Sequence, residues 1–143
     1  MISRMVLRCV SLLLLMLALF AGPSRAQKCK GMEVKYENEI QYPNSARAAR
    51  IQGDVALQIH IATDGTVTTD ITSGPPVLAE SAKRFVETWS VTWPNDAPPT
   101  ACAPVLRVTY KLKDHFNVKP KLPTHILVEA PPIETNEPAP QTH

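Results

Sequence analysis

The chain has 143 residues, with 15 Lys and Arg against 13 Asp and Glu and a formal charge of +2. That length leaves room for one domain with extensions around a single core. Three arginines and no acid fall in the first 26 residues, so a chain starting at Gln27 carries 12 basic and 13 acidic residues, net −1. The basic footprint required for nucleic acid or an anionic membrane surface is thereby excluded.

Residues 1–26 have the organisation of a secretory signal peptide. Arg4 and Arg8 precede an apolar run over 10–20, and Ser24-Arg25-Ala26 supplies the small-x-small cleavage pattern. The uncharged run over 9–24 has 16 residues, fewer than the roughly 20 of a spanning helix. A periplasmic protein released by cleavage is expected, the alternative being an uncleaved inner-membrane anchor with the domain facing the periplasm. Cleavage leaves Cys29 and Cys102, and an even pair in an oxidising compartment predicts one disulfide. No Cys-x-x-Cys or His-x-x-x-His spacing occurs, so no metal or other cofactor is expected.

Residues 27–40 form a polar lead-in, in which Met32, Val34 and Tyr36 are spaced by two and suggest a short edge strand. Pro43 suits a first helical turn, since its missing N–H needs no partner there, and Gly53 suits a helix end; together they predict a helix over 43–52. Arg47 and Arg50 then fall near its C-terminus, where cations complement the helix dipole. Val55, Leu57, Ile59 and Ile61 alternate with polar residues, predicting a half-buried strand. Asp64-Gly65 supplies positive-φ positions for a tight turn, and Val67, Thr69 and Ile71 continue the period of two on a returning strand.

Ser73-Gly74-Pro75-Pro76 opens a second helix, in which Leu78, Ala82, Phe85, Val86 and Trp89 recur at helical spacing. A proline-rich loop leads to a third strand over Val105–Leu112, with Leu106, Val108, Tyr110 and Leu112 on one face. The order predicts an α+β domain over 41–113: two helices packed on a small antiparallel three-stranded sheet, with room for an extra edge strand. Over 114–143 six prolines accumulate, as in a flexible tail. One island, Ile126-Leu127-Val128, reads either as incidental hydrophobicity in that tail or as a short strand.

Gln41-Tyr42-Pro43, Ala46-Arg47, Ile51, Gly53-Asp54-Val55, Asp64-Gly65-Thr66-Val67, Ser73-Gly74, Trp89 and the closing aromatic-bearing strand together resemble the C-terminal domain of TonB-family proteins. The likeness covers 41–67 and extends less fully to Leu112. It departs after Trp89, where Ser90, Val91, Thr92, Trp93 and Pro94 follow in place of the family's usual Trp-Arg and aromatic. The resemblance implies a periplasmic module that grips an extended segment of an outer-membrane transporter, or a similar envelope protein, by adding it to a sheet edge. It assigns partner contact to Gln41, Tyr42 and Pro43, and to the third strand through Val105, Arg107, Thr109 and Lys111.

Two further readings stand beside this one. A complete, membrane-anchored energy transducer would need a long spacer, yet only 15 residues lie between position 26 and Tyr42, and at about 3.3–3.6 Å per residue these span little. An envelope adaptor or enzyme of unrelated function would have to use isolated residues: His60 lies on a strand's polar face, and His115, His125 and His143 lie in or near the tail. An open third-strand edge would accept a transporter segment, or a second copy by strand exchange. It would equally accept the chain's own residues 124–129, tethered at an effective concentration of roughly millimolar.

Overall fold

In the computed structural model residues 29–134 are described; the expected signal peptide over 1–26, with Gln27 and His143, lies outside them. The elements in order are β1 (Glu33–Lys35), α1 (Asn44–Ala48), β2 (Gly53–Ile61), β3 (Val67–Ser73), α2 (Pro76–Glu87), β4 (Ser90–Thr92), β5 (Val105–Leu112), β6 (Asn117–Lys121) and β7 (His125–Ala130). They form an α+β fold. The main sheet has five strands in the order β3-β2-β5-β7-β6, and β1 pairs with β4 in a separate two-stranded sheet.

The period-two residues of β2 and β5 do what their spacing implies, whereas Ile71 on β3 is 38% exposed. Val55, Leu57 and Ile59 of β2 and Leu106, Val108 and Tyr110 of β5 are at most 1% exposed, because alternation sends them all to one face of the pleat. α2 covers that face with Leu78, Ala79, Ala82, Phe85 and Val86, and Tyr42 adds an edge-on contact to Tyr110 with ring centroids 5.2 Å apart. The opposite face carries polar pairs, among them His60 and Asp70, 3.3 Å apart and exposed.

The β2–β3 hairpin closes differently from a two-residue turn. Ala62 donates to the Thr66 carbonyl at 2.9 Å, and Gly65 donates to the Ala62 carbonyl at 3.0 Å. This leaves a three-residue loop in which only Gly65 has positive φ, at 86°. Asp64 contributes its carboxylate, which accepts the Thr66 N–H at 2.9 Å. A Cβ on Gly65 would meet the Val91 carbonyl oxygen at 2.8 Å, so glycine is required by space as well as by conformation.

The first helix is shorter than the proline-to-glycine interval implies. It ends at Ala48, where Ile51 donates back to the Ala46 carbonyl at 2.8 Å and Arg50 to the Arg47 carbonyl at 3.4 Å. That is a Schellman closure with Arg50, at φ 55°, in the left-handed position. Gly53 begins β2 instead.

The largest departure lies after Leu112. Residues 117–130, expected as flexible tail, form the β6–β7 hairpin, and Ile126, Val128 and Ala130 are at most 1% exposed in the same core as β2 and β5. β5 is consequently the third of five strands rather than an edge. Pro120 sits in β6, the outermost strand on this side, where an absent N–H is tolerated. The Cys29–Cys102 disulfide is formed, with its Cα atoms 5.3 Å apart.

Candidate protein-interaction site

The site that the sequence points to is the β5 backbone on the side away from β2. Arg107 donates its N–H to the Thr124 carbonyl at 2.9 Å, and Lys113 donates to the Ala130 carbonyl at 3.0 Å. Strand alternation therefore sends the N–H and C=O groups of Thr109 and Lys111 to the same side. Val108 and Tyr110 face β2, with which they pair at Val55 and Gly53. Three of the sequence-assigned residues, Arg107, Thr109 and Lys111, are thus the ones whose main chain points outward, while Val105 begins the strand 43% exposed.

That side is occupied by the chain itself. β7 runs parallel to β5 in register from Arg107↔His125 to Leu112↔Ala130, and β6 covers β7 from the far side in antiparallel pairing. The expectation of an exposed third-strand edge is corrected accordingly. Burial of Ile126, Val128 and Ala130 explains the change, since removing such side chains from water is worth about 1.5–3 kcal/mol for each large one. Across the junction Thr109 Oγ1 donates to Asp54 Oδ1 at 2.7 Å and lies 3.1 Å from His125 Nε2. With the hydroxyl proton directed to Asp54, the imidazole is the donor to Thr109.

The Gln41-Tyr42-Pro43 segment stands beside this occupied edge, but its residues differ in accessibility. Gln41 is exposed. Tyr42 is 6% exposed and its hydroxyl donates to the Ile51 carbonyl, so it is a core residue and not a free contact surface. Pro43 is half-buried and precedes α1. Between this segment and the hairpin lies a cleft of about 200 Å³, lined by Gln41, Arg47, Phe116, Val128 and Glu129 among others. Deeper in, burial pushes the Tyr110 hydroxyl well above its ordinary ionisation range, which keeps it neutral.

Polar groups gather at the open end of the hairpin, where the chain enters and leaves it. At its start His115 Nδ1 lies 2.7 Å from Asp114 and Nε2 lies 3.5 Å from Glu129, while Asn117 donates to Glu129 at 2.7 Å. The hydrogen bond to Asp114 raises the His115 pKa, and the Asn117 amide holds that of Glu129 down. Where the chain leaves the same end, Arg47 Nε donates to the Pro131 carbonyl at 2.7 Å, and Arg50 pairs with Glu134 at 3.1 Å. The arginines thus bind the segment after β7 as well as lying near a helix end. Sequence reasoning missed this, and missed Phe116, because neither belongs to a periodic pattern.

Among the described residues no group of three or more His, Cys, Asp or Glu is placed to hold a metal, and no helix is long and apolar enough to cross a membrane. Residues 38–112 match the family described as Gram-negative bacterial TonB protein C-terminal. No curated protein matches the chain. The family match ends at Leu112, so the strand lying on the β5 edge comes from outside it.

Proposed function

The chain belongs to the TonB C-terminal family, non-catalytic protein-interaction domains of the periplasm, and from that premise we propose that it binds an extended segment of an outer-membrane transporter by adding that segment to β5. One observation carries the reading: a strand from beyond the family domain already lies parallel on that edge, in register over six residue pairs. An edge that accepts one extended strand supplies main-chain partners to any other of compatible side-chain pattern. Coupling to energy-driven transport through the outer membrane is part of this reading, carried over from the family. The partner segment would replace β7, with apolar side chains in the places of Ile126 and Val128 and a small one in that of Ala130.

The two edge strands of the sheet, β6 and β3, are less suited to strand addition. β6 presents Pro120 with Lys119 and Lys121 exposed around it, features that discourage strand pairing. β3 carries none of the residues the family likeness assigns to partner contact.

Calorimetry of the full chain with peptides from periplasm-facing transporter segments tests the proposal. Deleting everything after Asp114 is a poor way to open the edge, because it strips core residues. Val128→Pro leaves residues 38–112 intact and removes a ladder donor from β7. Tighter peptide binding by the variant than by the natural chain is expected; a peptide panel that binds neither form would overturn the proposal.

A further inference from the structure

One side chain touches both the entry and the exit of the β6–β7 hairpin, which lie together at its open end. The Arg47 guanidinium lies 4.8 Å from the centre of the Phe116 ring, just before β6, and its Nε donates to the Pro131 carbonyl, just after β7. The Arg47 main chain joins in, accepting the Ile133 N–H at 3.4 Å. Phe116 is 69% exposed, so its position under Arg47 is not imposed by burial in the core. α1 itself is a rigid post: Ala46 is fully buried and the Schellman closure fixes the turn that follows. Arg47 also lines the cleft shared with Gln41 and Glu129.

We propose that Arg47 is a latch that keeps the β6–β7 hairpin on the β5 edge and so sets how often that edge is open. The functional consequence rests on the strand-addition reading above, whereas the latch itself does not. In the latched state the entry and exit of the hairpin, side by side at its open end, are fixed to one helix, so β7 must be lifted from β5 against both contacts at once. Freed of Arg47, the hairpin stays attached through its core side chains but opens more often. When the open fraction is small, external affinity falls in proportion to it. Opening and peptide binding should therefore change by the same factor.

Amide hydrogen exchange at Arg107, Thr109 and Lys111 reports opening without any partner. Arg47→Ala removes one charged hydrogen bond and one exposed cation–π contact to the hairpin and its flanks, besides a bond to Asn44 within its own helix, and exchange at these amides should accelerate by roughly tenfold to a hundredfold. Exchange in β2 should stay unchanged, separating latch loss from global unfolding. Phe116→Ala, at an exposed position, is the second variant and should accelerate exchange less. The binding probe is a labelled peptide with the chain's own residues 124–132, whose fit to β5 is visible in the structure. Its affinity for Arg47→Ala should rise by the same factor as the exchange. Faster exchange without peptide binding would uphold the latch and sink the strand-addition reading. Unchanged exchange at 107, 109 and 111 in both variants would overturn the latch.

Discussion

Arg50 shows how a single residue departs from what local chemistry favours. A non-glycine residue at φ 55° brings its Cβ close to its own backbone, a strain of about 1–2 kcal/mol that glycine avoids. The side chain recovers little of this through Glu134, since the two partners are 57% and 76% exposed and such pairs contribute about 0–1 kcal/mol. Arg50→Gly should therefore stabilise the protein by about 0.5–1 kcal/mol, after allowing for the greater freedom of glycine in the unfolded chain. Urea denaturation checks this: the midpoint should rise with an unchanged slope, and a lower midpoint would contradict it. Gly53 attracted attention as the helix end because glycine is the usual left-handed residue, yet the hydrogen bonds of Ala46 and Arg47 place that conformation three residues earlier.

At the scale of elements, β2, α2 and β5 were legible because each repeats its apolar residues at its own period over seven or more positions, and β3 because Val67, Thr69 and Ile71 keep a period of two directly after the Asp64-Gly65 turn. β6 and β7 were not. β6 has five residues interrupted by Pro120, and β7 has an apolar core of only three consecutive residues, Ile126 to Val128, within its six. Their order comes from the partner strand and not from their own pattern, which is why the same residues read equally as tail. Ile126→Ala should cost about 2–5 kcal/mol in urea denaturation, the range for a fully buried aliphatic side chain. A loss below about 0.5 kcal/mol, as for a surface position, would mean that the hairpin lies off the sheet.

For the whole molecule, the disulfide joins the segment before β1 to the loop before β5 across 73 residues of sequence. Cys102 also forms a two-way bridge with Ile61, donating at 3.0 Å and accepting at 2.9 Å, so the cross-link fastens the lead-in to the end of β2. On the chain-entropy account its loss costs at most about 4 kcal/mol. Both thiols should resist alkylation until the protein is reduced, and the Cys29→Ser/Cys102→Ser variant should unfold at lower urea than the natural chain. Equal midpoints would show that the β1–β4 pair and the core hold the lead-in without it.

The sequence by itself determined the α+β class, the β2–β3 hairpin, the amphipathic second helix, the pairing of the two remaining cysteines and the family, because these depend on local periodicity, turn chemistry and a dense motif between Gln41 and Val67. It also singled out Arg107, Thr109 and Lys111, the β5 residues whose main chain faces away from β2. What lies against them was decided by tertiary structure alone. Two occupants, a foreign strand and residues 124–129, satisfy the same main-chain groups, and periodicity cannot rank them. The choice follows from burial of Ile126, Val128 and Ala130 against Tyr42 and Tyr110, and from Arg47 meeting Phe116 and Pro131. The contacts of Tyr42 and Arg47 join residues about 70 to 90 positions apart and those of Tyr110 about 16 to 20, beyond the reach of any local pattern.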